Sequence, residues 1–216
     1  MKNIPLLLGH RGARVSASVR ENSLPAFDLA LQHGCDGFEF DVRLTSDGYA
    51  VVCHDAQFQG SSIAEGPIAK FRDLPLLEDV MARFSKRAFL DIELTIPALA
   101  QHVRAALREH IPERGYVVSS FLPDVLVEMR LCNESIPLGI ICARQLPRWQ
   151  DPPIEYLIPH ASLITPALVR EAHDAGKILF AWTVNDKASM LHLADWGVDG
   201  IISDDTELLV RTLKPG

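Results

Sequence analysis

The chain is short of cysteine, of long apolar runs and of positive charge, and each shortage excludes something. Its 4 cysteines in 216 residues, at positions 35, 53, 132 and 142, have no metal-type spacing. With no export signal they read as reduced, buried thiols. The apolar start, "IPLLLGH", is interrupted by Pro5 and stopped by Gly9, too short for a secretory core. No other stretch approaches the ~20 apolar residues of a membrane span. A cytoplasmic protein without membrane insertion is therefore expected. Lys and Arg number 21 against 28 Asp and Glu, a net charge of −7, which argues against a nucleic-acid-binding surface. A small anionic partner remains open, because a local cationic pocket can sit in an acidic protein. No repeat, low-complexity tract or long linker divides the chain. With 48% hydrophobic residues it reads as one domain, 1–216, with a sizeable core. A homo-oligomer is compatible with this composition.

What is present is alternation. Short β-rich runs give eight strand candidates: Leu6–Gly9, Gly37–Val42, Ala50–His54, Phe89–Leu94, Val117–Phe121, Leu138–Cys142, Ile178–Val184 and Gly200–Ser203. Amphipathic helical runs lie between many of them. The clearest is "ENSLPAFDLALQHG", with Asn22 or Ser23 as cap, Pro25 in the first turn and Gly34 as stop. Alternation in eight units predicts an α/β fold of the (β/α)8 TIM-barrel type, with an open doubly wound sheet as the alternative. The Pro-rich "RQLPRWQDPPIEYLIPHAS" reads as an elaborated loop with a short extra element.

Polar residues fall at the carboxyl ends of these strands, the rim where barrel enzymes place their chemistry. His10 and Arg11 follow the first, Glu39 and Asp41 end the second, His54 the third and Glu93 the fourth; Trp182, Asn185 and Asp204 follow later. Residues i and i+2 of a strand share a face, so Glu39 and Asp41 lie side by side. With Glu93 they offer an all-oxygen set suited to one hard divalent cation, Mg2+ or Ca2+. Asp91 has the same parity as Glu93 and reads as a structural acceptor. Asp47-Gly48 predicts a two-residue hairpin loop pairing Ser46 with Tyr49 and Asp41 with His54. That pairing would set His54 beside the carboxylates and make the barrel irregular at its second and third strands. Trp182 is balanced between core packing and a wall of the site.

In order along the chain, "GHRG" with "ENS", "FEFDVRLTSDGYAVVCHD", "LDIEL", "SSF", "AWTVND" and "GVDGIISD" resemble the motifs of the glycerophosphodiester phosphodiesterases, especially the small cytoplasmic bacterial type. The resemblance runs from about Leu7 to Thr206. It implies a barrel enzyme that hydrolyses glycerophosphodiesters to sn-glycerol 3-phosphate and an alcohol with a divalent cation. It further implies His10 and His54 as the acid–base pair, Arg11 on the phosphate, and Glu39, Asp41 and Glu93 on the metal. Thr95 stands where that family usually has a lysine, leaving Arg14, Arg20 and Arg43 as other cations near the site. The loop after His54-Asp55 is shorter than usual and lacks the family's arginine. Two alternatives accompany this reading. One is a phosphodiesterase on lysophospholipids or other diesters, for which Phe58 and Phe71 would line an apolar mouth. The other is a degenerate barrel that binds diesters without turnover.

Overall fold

A computed structural model describes residues 4–15, 19–149 and 154–214. Its strands and helices follow in the order β1 (Leu6–His10), α1 (Leu24–His33), β2 (Gly37–Leu44), β3 (Ala50–Val52), β4 (Gln57–Phe58), β5 (Ser61–Ser62), α2 (Leu77–Phe84), β6 (Phe89–Leu94), α3 (Ala100–Glu109), β7 (Tyr116–Ser120), α4 (Pro123–Cys132), β8 (Leu138–Cys142), β9 (Tyr156–Pro159), α5 (Pro166–Asp174), β10 (Ile178–Ala181), α6 (Lys187–Trp196), β11 (Gly200–Ser203) and α7 (Thr206–Leu213). Strands β1, β2, β6, β7, β8, β9, β10 and β11 pair in parallel, each with the next, and β11 returns to β1. The sheet is a closed (β/α)8-type barrel, as the alternation predicts.

Two of its members differ from the sequence reading. The run from Ala50 supplies β3, which is antiparallel to β2 and lies outside the barrel. The eighth barrel strand is β9, inside the Pro-rich segment read as an elaborated loop with a short extra element; residues 150–153 of that segment lie outside those described. Only four residues long and ended by Pro159, β9 is too brief to show a period. Among the described residues no helix joins β8 to β9. The seventh predicted strand stops at Ala181 rather than Val184.

Side-chain parity explains why carboxylates occupy a buried strand. Phe38 and Phe40 point outward from β2 and pack on Phe27 of α1; Phe27 stacks on Phe38 at 4.1 Å, and Phe84 of α2 meets Phe38 edge-on at 5.0 Å. Such pairs contribute about 0.5–1.5 kcal/mol beyond area burial. Leu90 and Ile92 of β6 belong to the same outer core. The intervening residues, Glu39, Asp41, Asp91 and Glu93, must then face the lumen. Beneath them the lumen is closed by Leu8, Phe89, Val117, Ile141, Ile158, Phe180 and Ile202. The outward phenylalanines thus hold the inward carboxylates in place.

The hairpin after β2 corrects the predicted register. Val42 pairs with Val52 and Leu44 with Ala50, and Thr45 N–H donates to the Tyr49 carbonyl at 3.0 Å. The loop therefore has three residues, with Gly48 at φ 86 in the left-handed region and its N–H on the Thr45 carbonyl at 3.1 Å. Asp47 turns aside, accepting from the Thr45 hydroxyl at 2.7 Å and the Ile68 N–H at 2.9 Å. The extra loop residue moves the register by one and sends side chains to the other face. Cys53, not His54, stands opposite Asp41, and its N–H donates to the Asp41 carbonyl at 3.0 Å.

Candidate active site

The lumen carboxylates meet at the barrel mouth. In the sheet register His10 lies beside Glu39, Glu39 beside Asp91, and Asp41 beside Glu93. Glu39, Asp41 and Glu93 each turn an oxygen to a common point, those atoms lying within 4.8 Å of one another. Burial and mutual repulsion act on all of them. Burial, then Asp41, Glu93 and Asp91, hold Glu39 far above the ordinary carboxylate range. Burial, then Asp41 and Asp91, push Glu93 up to about 8. Asp91 is pushed up to about 7 by burial and by Asp41, against the hydroxyl of Ser119, which donates to it at 2.5 Å. Buried oxygens Glu39 Oε1 and Asp91 Oδ2 have no hydrogen-bond partner. An all-oxygen set with an orphaned carboxylate oxygen fits a hard divalent cation, whose charge would offset this repulsion.

The β1–α1 turn places the cationic part. Arg11 has φ 55, a left-handed conformation uncommon for a non-glycine residue and found where structure elsewhere enforces it. There its N–H donates to Glu39 Oε2 at 3.0 Å, its Nε lies 3.4 Å from Asp41 Oδ2, and its Nη1 donates to Glu21 at 3.0 Å. Asn22, with φ 52, donates to Asp41 Oδ2 at 2.8 Å, while the cap of α1 is Ser23. His10 is buried, its Nε2 3.8 Å from Glu39 Oε2 and its Nδ1 2.7 Å from Asp204 Oδ1. Trp182, 6.3 Å from the His10 ring, closes one side with Phe121 and His160 packed edge-on against it; its indole N–H is buried without a partner.

Of the residues singled out in the sequence, His10, Arg11, Glu39, Asp41, Glu93 and Trp182 come together. His54 does not join them as the predicted pairing requires. No hydrogen bond or ion pair links it to the three carboxylates among the described residues. Its ring is half exposed with Nδ1 2.8 Å from Asp55, because the register moved. It borders a neighbouring hollow with Arg20, Glu21, Asn22 and Phe58, and Asn22 connects that hollow to Asp41. The Thr95 hydroxyl is spent on the Val42 carbonyl at 3.0 Å. Arg43 holds the His54 carbonyl, with Nε at 2.8 Å, and Arg20 lies over Phe58 and donates to Asp73. Arg14 alone of the three bonds to Asp204, on the oxygen that meets His10. Sequence reading placed Asn185 and Asp204 on the rim without a role and took Asn22 as a cap candidate; their places in the "AWTVND", "GVDGIISD" and "ENS" runs were the available signal.

Comparison with known proteins agrees with this geometry. The model of the Glycerophosphoryl diester phosphodiesterase family matches residues 10–106 and 69–208. A glycerophosphodiester phosphodiesterase of Caldanaerobacter subterraneus subsp. tengcongensis is 30% identical over 98% of both chains. Among solved structures, a putative glycerophosphoryl diester phosphodiesterase from Silicibacter pomeroyi superposes with TM-score 0.88 at 25% identity, over 98% of this chain and 93% of that one. An Oleispira antarctica phosphodiesterase, solved in complex with the product sn-glycerol-3-phosphate, has the same fold, with TM-score 0.88 at 23% identity over 98% and 97% of the two chains. The chain belongs to the glycerophosphoryl diester phosphodiesterase family.

Proposed function

We propose that this enzyme, acting as one domain over 1–216, hydrolyses glycerophosphodiesters to sn-glycerol 3-phosphate and an alcohol in the cytoplasm. The observation that carries this reading is the convergence of three carboxylates, Glu39 and Asp41 buried and Glu93 partly so, with Arg11 and His10 on one rim. Glu39, Asp41 and Glu93 would hold one divalent cation, Mg2+ or Ca2+, which neutralises phosphoryl oxygens when bound. Arg11, whose Nε has no hydrogen-bond partner, takes a second phosphoryl oxygen. His10 and His54 divide the proton work, one taking the proton of the attacking group and the other delivering one to the leaving alcohol. Asn22, which borders the His54 hollow and bonds to Asp41, connects the His54 side to the carboxylates beside His10. Trp182 forms the wall against the glyceryl carbons and offers its indole N–H to an oxygen.

The lysophospholipid reading loses its first support, because Phe71 is fully buried and Phe58 is covered by Arg20. Exposed Phe121, packed on Trp182, gives that reading a different apolar contact. The test is phosphate-ester release from glycerophosphocholine, glycerophosphoethanolamine and a lysophospholipid, with Mg2+, Ca2+ or EDTA, in wild type and His54→Ala. Release that stops with EDTA and in His54→Ala supports the assignment. Turnover indifferent to EDTA overturns the ligand set, and no turnover on any diester favours binding without hydrolysis.

A further inference from the structure

We infer that Asp204 is a positioning residue that fixes the tautomer and direction of His10, an assignment resting on the catalytic reading of His10. The two meet from opposite ends of the chain, His10 at the end of β1 and Asp204 directly after β11, strands that are hydrogen-bonded neighbours. Their contact is 2.7 Å from Nδ1 to Oδ1, with both side chains largely buried. A carboxylate can only accept, so the ring proton sits on Nδ1 and the Nε2 lone pair is turned the other way. That other side is the carboxylate cluster, with Glu39 Oε2 at 3.8 Å from Nε2. Without Asp204 the neutral ring can place its proton on Nε2, toward Glu39, and lose its acceptor on the reacting side.

Asp204 is itself held too firmly to be an incidental neighbour. Its Oδ2 accepts from Asn185 Nδ2 at 2.6 Å, while its N–H donates to Asn185 Oδ1 at 2.9 Å, a reciprocal clamp. Ser203 Oγ donates to the same Asn185 oxygen at 3.1 Å. Arg14 Nη1 lies 3.2 Å from Oδ1, the atom His10 also uses. With its two oxygens engaged from separate directions, the carboxylate cannot rotate freely about its last bond. The imidazole inherits that restriction, since only one ring orientation keeps both the Nδ1 contact and the packing against Trp182.

The experiment compares Asp204→Asn, Asp204→Glu and His10→Asn in the full chain, with thermal unfolding as a control for folding. For Asp204→Asn, kcat on glycerophosphocholine is expected to fall at least about 10-fold with KM changed little. Asp204→Glu should recover part of that loss. Nitrogen-15 NMR of the metal-free protein, read at the alkaline end of a pH series where the ring carries one proton, should show that proton on Nδ1 of His10 in wild type and partly on Nε2 in Asp204→Asn. A folded Asp204→Asn that keeps wild-type kcat, or an unchanged tautomer in that variant, overturns the proposal. An active His10→Asn instead overturns the catalytic reading of His10, so the two failures are told apart.

Discussion

Asn22 and Asp41 clasp each other: the Asn22 amide donates to Asp41 Oδ2 at 2.8 Å, and the Asp41 N–H points to Asn22 Oδ1 at 3.4 Å. The pair spans the β1–α1 turn and β2, and Asn22 reaches it only with φ 52, a conformation that asparagine tolerates better than most residues. The Asp41 carboxylate is thereby held in the orientation that offers an oxygen to the common point with Glu39 and Glu93. Asn22→Ala removes the donor and adds strain. Divalent-cation affinity, measured by calorimetry, is expected to weaken about 10- to 100-fold while the fold survives.

The raised carboxylates make the metal-free protein respond to pH in a direction opposite to ordinary acid denaturation. Glu93 holds its proton to about pH 8 in the folded chain, because of burial first and Asp41 and Asp91 second, whereas an unfolded glutamate releases it near pH 4.3. Across that window the folded state binds more protons than the unfolded one, so stability falls as pH rises. Asp91, at about 7, adds to the same slope. Asp204 does not contribute there. Burial alone would raise it, but the hydrogen bond and charge of His10, with Asn185 and Arg14, hold it well below the usual range. The melting temperature in EDTA should therefore be higher at pH 5.5 than at pH 8, and a saturating divalent cation should raise it more at pH 8. A melting temperature in EDTA that climbs steadily with pH would contradict the buried, charge-crowded site.

Arg11→Lys tests geometry at constant charge. Arg11 serves Glu39 through its backbone and Asp41 and Glu21 through its guanidinium, so the planar fork matters beyond the charge. Lysine retains the first contact and cannot reproduce the others together. On glycerophosphocholine, kcat/KM is expected to drop by about 10- to 1,000-fold, with cation affinity nearly unchanged. Equal activity would mean that a point charge suffices.

Much of this was legible in the strand pattern. Alternation of Phe38 and Phe40 with Glu39 and Asp41 carries the inward direction of the carboxylates, because two phenylalanines in one strand demand an apolar partner on one side only. The same parity places Asp91 and Glu93. What could not be read was anything set by counting residues through a turn. Whether Asp47-Gly48 closes a two- or three-residue loop depends on Asp47 finding the Ile68 N–H, a contact 21 residues away. That single residue decides whether His54 faces Asp41. β9 was hidden for a related reason, since its four residues gain their strand character from β8 and β10 on either side. Asp204 became a partner of His10 only once β11 closed on β1.

Barrel closure and the site share one tight contact, at Gly37. A Cβ there would stand 1.9 Å from the Phe89 carbonyl oxygen and 2.7 Å from its carbon, backbone atoms of the neighbouring strand that cannot step aside. Gly37 needs its missing side chain for this approach of β2 to β6, not for an unusual φ. Gly60 is the reverse case: nothing lies within 4 Å of its Cβ position, but its φ is +77. Gly60→Ala should therefore cost about 1 kcal/mol by backbone strain alone and leave cation affinity intact. Gly37→Ala must push β2 away from β6, which costs about 3 kcal/mol or more and shifts the pairing of Glu39 with Asp91 and Asp41 with Glu93. Urea unfolding with cation titration separates the two. The Gly37 variant should lose both stability and cation binding, and the Gly60 variant a little stability only. Equal effects in the two would mean that the contact between β2 and β6 does not set the carboxylate geometry.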